Sequence, residues 1–173
     1  MGLDQYLTAE RYIPRREYTT NDSTGYLDSH YNDEFDVLIK GLDFIDPSEF
    51  SAGIVQSYPV GQWRKANQIH NWFVQNVQGD EDDCGRYYVP QEKLQELRFA
   101  CMKVLLVRDN SDDVIERTAE AVGLAPMRGF FFGGYEYDEW YFDQLQDTVS
   151  ILDRIRLSKQ LSDGYAIFYS SSW

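Results

Sequence analysis

The chain has 173 residues, 29 acidic against 16 basic side chains, and a formal net charge of −13. Its apolar fraction of 43% is too high for a disordered chain, and no window approaches the ~18 consecutive apolar residues of a membrane helix. A surface of this charge repels nucleic acid and attracts basic surfaces. We therefore expect one acidic globular domain spanning 1–173.

The first third of the chain predicts short strands separated by turn-rich segments. Residues 2–13 alternate as in a strand, and residues 19–33 are rich in turn formers and predict a surface loop. The short apolar runs at 35–39 and 53–60 each predict a further strand. Because residues 19–60 carry eight acids and one Lys, we expect a loop-rich acidic segment there.

The rest of the chain predicts helices followed by a strand. The helices are expected at about 62–78, 90–107, 112–123 and 139–160. Ser111 and Asp138 are typical N-cap residues for the last two. Residues 127–137 predict a strand or a packed loop, and 165–173 predict a terminal strand. This order indicates an α+β fold in which a small sheet carries three or four helices packed mainly on one face.

The only two histidines, His30 and His70, limit imidazole chemistry to these positions. His70 falls on the apolar stripe of the first predicted helix, so a packed and hydrogen-bonded histidine is the expected role. Helical spacing also places Trp63, Asn67 and His70 near one another, with Arg64 beside them. A small enzyme with a pocket around these four residues is therefore an alternative function, although no catalytic residue is assigned.

No metal or cofactor is expected. The two cysteines, Cys84 and Cys101, lack the paired spacing of a zinc site and fit a reducing cytosol. The acidic run at 80–83 resembles the start of a calcium loop, but Cys84 and Gln91 then fall where oxygen ligands are needed. Phosphate-binding glycine loops are also missing from the sequence.

Carboxylates recur every four residues on two predicted helices, which places each set in a row along one helix face. Like charges at this spacing destabilise a helix by a few tenths of a kcal/mol per pair, and rows of acids approximate the phosphates of a nucleic-acid strand. Tyrosine and tryptophan beside acids are typical anchors of protein interfaces. The predicted partner-binding residues are the rows Glu139, Asp143, Asp147 and Asp112, Glu116, Glu120, the loop Asp80, Glu81, Asp82, Asp83, and the aromatics Tyr135, Tyr137 and Trp140.

Several stretches together resemble a group of small proteins encoded by phages and prophages. They are GLDQYL at Gly2–Leu7, WRKANQIHNWFV at Trp63–Val74, DDCG at Asp82–Gly85, GFFFG at Gly129–Gly133, YDE at Tyr137–Glu139 and SSW at Ser171–Trp173. The resemblance spans most of 1–7 and 60–173. It implies an accessory phage protein in the cytoplasm of a bacterial host, and it carries no catalytic residue with it.

Phage accessory proteins of this kind often block host defences, including CRISPR effectors, and many do so with acidic surfaces. The leading hypothesis is therefore an inhibitor that mimics nucleic acid and binds the basic nucleic-acid-contacting surface of a host defence protein. A self-assembling structural phage protein is a further alternative. The partner is expected to be a basic protein, with no direct binding of nucleic acid or membrane.

Overall fold

The structure is a computed structural model. It describes residues 2–42, 46, 52–129, 131–162 and 164–173. Three parts of the sequence predictions, residues 43–45, residues 47–51 and Phe130, lie outside the described residues.

Strands open and close the chain, and most helices lie between them. In chain order the elements are β1 (Asp4–Pro14), β2 (Arg16–Thr20), β3 (Leu27–Tyr31), α1 (Asp33–Lys40), β4 (Gly53–Arg64), α2 (Asn67–Asn76), β5 (Arg86–Tyr88), α3 (Gln91–Leu105), α4 (Asp112–Ala121), α5 (Glu139–Leu157), α6 (Lys159–Ser162) and β6 (Ala166–Ser172). The predicted α+β class is confirmed.

Two compact units divide the chain, Met1–Ala9 with Tyr58–Trp173, and Glu10–Ser57. The first unit contains an antiparallel sheet with strand order β4-β1-β6-β5. Along its two central strands, fully buried residues alternate with half-exposed ones. This period of two indicates that the helices cover one face of the sheet.

The helices of the first unit pack with that face into one hydrophobic core. Helix α3 packs against both α5 and α4. Gly61 in β4 allows α5 to approach the sheet, since a Cβ at this position would lie 2.8 Å from Cγ2 of Ile151. The largest buried side chains of the core include Leu7, Trp63, Phe73, Leu97, Leu145, Leu152 and Tyr169.

The second unit contains a β-hairpin and one helix. Strands β2 and β3 pair antiparallel, with Arg16 opposite Tyr31 and Thr20 opposite Leu27. Asn32 caps α1, because its side chain accepts hydrogen bonds from the backbone N–H groups of Glu34 and Phe35. A small apolar cluster of Ile13, Phe35 and Ile39, with Leu38 and Ile54 packed against it, holds this unit together.

Two predictions for the second unit are wrong. Residues 35–39 lie in helix α1 rather than in a strand, because a short apolar run fits either element and the Asn32 cap favours the helix. Residues 19–33 were predicted as a surface loop, but they contain strand β3 and the end of β2, which pair as a hairpin.

One boundary in the first unit also differs from the prediction. The predicted helix at 62–78 begins only at Asn67, so Trp63 and Arg64 lie in strand β4. Lys65 has a left-handed backbone with φ of 58°, which separates the strand from the helix. The predicted helix starting after the Asp138 cap and the strand at the end of the chain are confirmed.

Candidate functional site

An acidic concavity of about 370 Å³ lies beside helix α4. We call it the acidic concavity. Its lining residues are Asp112, Glu116, Tyr135, Glu136, Tyr137 and Asp138. Helix α4 therefore supplies two carboxylates, and the segment that leads into α5 supplies two more together with both tyrosines.

Local structure explains why these carboxylates face outward. Helix α4 buries Ile115 and Ala119, and the row at 112, 116 and 120 lies on a different, exposed face because of the 3.6-residue period. Asp138 caps α5, since its side chain accepts a hydrogen bond from the Tyr141 N–H at 3.0 Å. The two helices thus orient both walls of the acidic concavity.

Tyr137, which lines the acidic concavity, is affected by carboxylates of α4. Burial raises the pKa of the Tyr137 phenol most, and the carboxylates of Glu116 and Glu120 raise it further. Glu120 therefore acts on the same region although it does not line the concavity. Across the described residues, no basic side chain forms an ion pair with Asp112, Glu116, Glu136 or Asp138.

Sequence reasoning identified Asp112, Glu116, Tyr135 and Tyr137, and the structure brings these four together. It missed Glu136, and it did not include Asp138 among the partner-binding residues. Aromatic and acidic residues alternate at 135–138, and this local pattern could have indicated that Glu136 and Asp138 belong to the same surface as the tyrosines.

The second predicted row differs from the first because a base interrupts it. Glu139, Asp143 and Asp147 are all exposed on α5. The Arg108 guanidinium, however, forms an ion pair with Glu139 and lies near enough to Asp143 for that carboxylate to raise its pKa. Trp140, which is 55% exposed, lies next to this row.

The acidic loop at 80–83 is largely engaged in bonds within the protein. Asp83 Oδ1 accepts hydrogen bonds from the Gly85 N–H at 2.7 Å and from the Tyr87 hydroxyl at 2.9 Å. The first of these bonds, then the second, lowers the pKa of Asp83, and the Asp83 carboxylate raises the pKa of Tyr87. Asp80 and Glu81 are exposed.

Asp82 connects three parts of the first unit. Its Oδ1 atom lies 3.1 Å from Nε2 of His70 and accepts a hydrogen bond of 3.1 Å from Nε1 of Trp173. The acids that were predicted as a single contact segment therefore have different roles, because Asp82 and Asp83 organise the loop itself.

Three residues of the predicted enzyme pocket, Trp63, Asn67 and His70, are buried and make structural contacts. Trp63 is buried and donates its indole N–H to Thr148 Oγ1 at 2.9 Å. Asn67 donates to the carbonyls of Phe132 and Gly134 and accepts from the Met127 N–H. Arg64 is exposed on β4, with its Nε 3.7 Å from the Asp4 carboxylate.

His70 belongs to a buried chain of hydrogen bonds. Its Nδ1 lies 2.8 Å from the Tyr169 hydroxyl, which is 3.2 Å from Oε1 of Gln5. Nε2 of Gln5 in turn donates to the Ala66 carbonyl at 3.1 Å. The expected packed, hydrogen-bonded role of His70 is confirmed, since the side chain is 0% exposed.

Burial is the main cause of the pKa shifts of His70 and Tyr169 in this chain of hydrogen bonds. It lowers the pKa of His70, although the hydrogen bond and the charge of Asp82 both act in the opposite direction. Burial also raises the pKa of Tyr169 well above its ordinary value. With both ring nitrogens bound to protein groups, His70 presents no free nitrogen to a substrate.

Within the ranges given above, no cluster of three or more His, Cys, Asp or Glu side chains is arranged to hold a metal ion. Both cysteines are free, Cys84 exposed and Cys101 buried. Burial raises the pKa of the Cys101 thiol, so this sulfur is unsuited to act as a thiolate.

The helices of the described part of the chain are too short or too polar to cross a membrane. Comparison with known proteins gives no identity: no protein-family model, no curated protein and no solved structure matches this chain.

Proposed function

We propose that this chain is a phage accessory protein that binds the basic nucleic-acid-contacting surface of a host defence protein and blocks it. The acidic concavity carries the proposal, because it combines four carboxylates with two tyrosines in one recess. The phage setting and the bacterial cytoplasm rest on the sequence resemblance described above.

The chemistry of the acidic concavity suits arginine and lysine side chains of a partner. Exposed carboxylates form charge-assisted hydrogen bonds with guanidinium and ammonium groups. Tyr135, which is 44% exposed, adds an aromatic surface of the kind that carries binding energy in protein interfaces. A partner that normally holds phosphates would present such cations at close spacing.

The two carboxylate rows have unequal parts in this proposal. The row at 112, 116 and 120 borders the acidic concavity, and the nearby Arg117 pairs with Asp113 at 3.0 Å rather than with the row. The row on α5 is partly neutralised by Arg108. We therefore assign the main contact to the acidic concavity and a secondary one to Asp143 and Asp147.

Displacement of DNA from purified CRISPR effector complexes tests the proposal. Fluorescent duplex DNA is bound to each effector of a panel, and the released fraction is measured as the protein is added at low and at moderate salt. We expect displacement from at least one effector, with weaker displacement at higher salt because exposed charges are screened.

Neutral substitutions locate the contact. The triple variant Asp112→Asn, Glu116→Gln, Glu136→Gln keeps the side-chain shapes and should weaken displacement about tenfold or more, since each exposed pair contributes up to about 1 kcal/mol. A matched control, Asp22→Asn, Glu92→Gln, Asp109→Asn, changes the net charge equally at exposed sites elsewhere.

The control should displace DNA nearly as well as the unmodified protein. Equal losses in the two triple variants would assign the effect to net charge alone and overturn the acidic concavity as the contact. Failure to displace DNA from every effector tested would overturn the proposed function for this class of partner.

A further inference from the structure

A cavity that shares no lining residue with the acidic concavity lies in the first unit, where the end of β5 meets β6, α3 and α5. We call it the β5 cavity, and its volume is about 80 Å³. Its buried lining is aliphatic and consists of Val89, Leu94, Ile155 and Ile167. Tyr88 and Arg156 also line the cavity and are exposed, so they mark its mouth.

The size and lining of the β5 cavity fit one small aliphatic group. A cavity of about 150 Å³ lined by apolar side chains accepts the six carbons of benzene. By the same proportion, a volume of 80 Å³ accommodates roughly three or four carbons, as in the side chains of valine and leucine. Each methylene group that leaves water strengthens binding about fourfold.

The mouth of the β5 cavity carries an excess of positive charge, because two arginines share one carboxylate. Arg98 donates to both oxygens of Asp153, at 2.8 and 3.1 Å, and Arg156 donates to Oδ1 of the same carboxylate at 3.2 and 3.3 Å. Asp153 is ionised near neutral pH, chiefly because the hydrogen bond from Arg98 lowers its pKa. Two guanidinium groups and one carboxylate leave one net positive charge.

Arg156 retains hydrogen-bond donors that an anion can use. The two bonds to Asp153 come from Nε and Nη2, so they leave the N–H groups of Nη1 available. The side chain is 48% exposed, which makes these groups accessible from solvent. Because a guanidinium binds a carboxylate through charge-assisted hydrogen bonds, the β5 cavity suits a carboxylate joined to a small aliphatic group.

The neighbouring edge of the sheet indicates where such a carboxylate comes from. Strand β5 ends the order β4-β1-β6-β5, so its outer side is an edge of the sheet, and Tyr88 is 57% exposed there. The Val89 N–H donates across to the Ile167 carbonyl at 2.8 Å. Since backbone groups alternate in direction along an antiparallel strand, the N–H and C=O of Tyr88 point to this edge.

A peptide uses both features, whereas a free aliphatic acid uses only one. An extended peptide that pairs with Tyr88 gains main-chain hydrogen bonds, and its side chains alternate between the two faces of the sheet. One side chain then reaches the helix-covered face, on which the β5 cavity lies. A free acid of three or four carbons fills the cavity but leaves the edge of β5 without a partner.

We propose that the β5 cavity binds the carboxyl-terminal residue of an extended peptide that pairs with the edge of β5. The side chain of a terminal leucine or valine fills the cavity, Arg156 binds the terminal carboxylate, and the backbone of Tyr88 pairs with the peptide backbone. The inference is independent of the proposed function, because it concerns a different surface of the first unit.

NMR titration of the full chain with a synthetic peptide tests the proposal. The probe is N-acetyl serine-threonine-valine-threonine-leucine with a free carboxylate; its strand-forming sequence suffices, because the proposed contacts involve only the backbone and the last residue. We expect saturable shifts of the Ile155 and Ile167 methyl resonances and slower hydrogen exchange of the Tyr88 amide. Unchanged methyl resonances at millimolar peptide would overturn the proposal.

Three further probes separate the parts of the ligand. The same peptide with a terminal carboxamide should bind about tenfold more weakly, since it loses the charge-assisted bonds. A peptide that ends in glycine should bind weaker by about tenfold or more, since the cavity stays empty. Isovalerate alone should also bind at least about tenfold more weakly than the leucine peptide. Equal affinity of any of these probes and the leucine peptide would overturn the corresponding contact.

A pair of charge variants locates the carboxylate. Arg156→Gln should weaken binding of the free-acid peptide about tenfold and leave binding of the carboxamide peptide unchanged. Arg154→Gln is the matched control, because Arg154 is an exposed base on the same helix that does not line the β5 cavity. It should bind both peptides as the unmodified protein does. Equal losses in the two variants would assign the effect to net charge and contradict the role of Arg156.

Discussion

The acidic loop at 80–83 and the acidic concavity are both rich in carboxylates, but these carboxylates have different physical roles. In the loop, Asp82 and Asp83 accept hydrogen bonds from side chains and backbone of the same unit. In the acidic concavity, Asp112, Glu116 and Glu136 are exposed on a helix face and on a connecting segment. A local excess of acid therefore does not identify a binding surface until the internal acceptors have been separated from the exposed ones.

The largest expected effect is a loss of stability in Asn67→Ala, because this variant removes the side chain that holds one wall of the acidic concavity in place and leaves its charges unchanged. The buried amide holds the segment that leads to Tyr135 through bonds to Phe132, Gly134 and Met127. Leaving the buried Phe132 carbonyl and two part-buried backbone groups without this partner should lower the free energy of unfolding by about 3 kcal/mol. Urea unfolding measures this loss.

The isosteric variant Asn67→Asp provides the control for Asn67→Ala. It keeps the shape and the acceptor for Met127 but loses the two donated bonds. It should also be destabilised, and stability equal to that of the unmodified protein would contradict the assigned role of the amide.

A pair of variants, Asp82→Ala and Glu116→Ala, tests directly whether the acidic loop and the acidic concavity differ in structural role. Removing Asp82 leaves the buried His70 Nε2 without its partner and should cost about 2 kcal/mol of unfolding free energy. Removing the exposed Glu116 should change stability by less than about 0.5 kcal/mol. Equal effects in urea unfolding would mean that the two acidic regions do not differ in structural role.

The pKa of Tyr137 tests the acidic concavity through a smaller change at a single group. Glu116→Gln removes one of the charges that raise the pKa of the phenol, so the pKa should fall. It should remain above the ordinary value, because burial is the larger cause. Carbon-13 resonances of labelled tyrosine follow this titration, and an unchanged pKa would place Glu116 farther from Tyr137 than described here.

A further titration test lies at Tyr87, beside the acidic loop. Asp83→Asn removes the carboxylate that accepts the Tyr87 hydroxyl, so the pKa of Tyr87 should fall toward its ordinary value. The same carbon-13 titration reports it, and Tyr88 offers a neighbouring tyrosine for reference. A constant Tyr87 pKa would show that the Asp83 contact is not maintained in solution.

Local patterns predicted the elements that are stabilised mainly by local interactions. The Asp138 cap and the apolar spacing that follows it place the start of α5 correctly, because the cap bond to Tyr141 spans only three residues. The apolar run at 35–39 was assigned to a strand because its five residues do not distinguish the two periods. The Asn32 cap and the acids at 33 and 34 were the indications of a helix that the prediction did not use.

The buried chain around His70 depends on contacts between distant parts of the sequence. Gln5 and Tyr169 are 164 positions apart, and His70 and Tyr169 are 99 apart. Neither spacing nor composition carries information about such pairs. The α4 wall of the acidic concavity followed from helical spacing, whereas its second wall required knowledge of how 135–138 folds beside it.

The position of β6 between β1 and β5 has a consequence for synthesis of the chain. The sheet cannot be completed until residues 166–172 have left the ribosome, although β1 (Asp4–Pro14) is translated long before them. Nascent chains that lack β6 expose the hydrogen-bonding edge of β1 and the apolar ring of Phe73, on which Tyr169 stacks at 3.9 Å. An unpaired strand edge beside exposed apolar surface makes such incomplete chains prone to aggregate until β6 has been added.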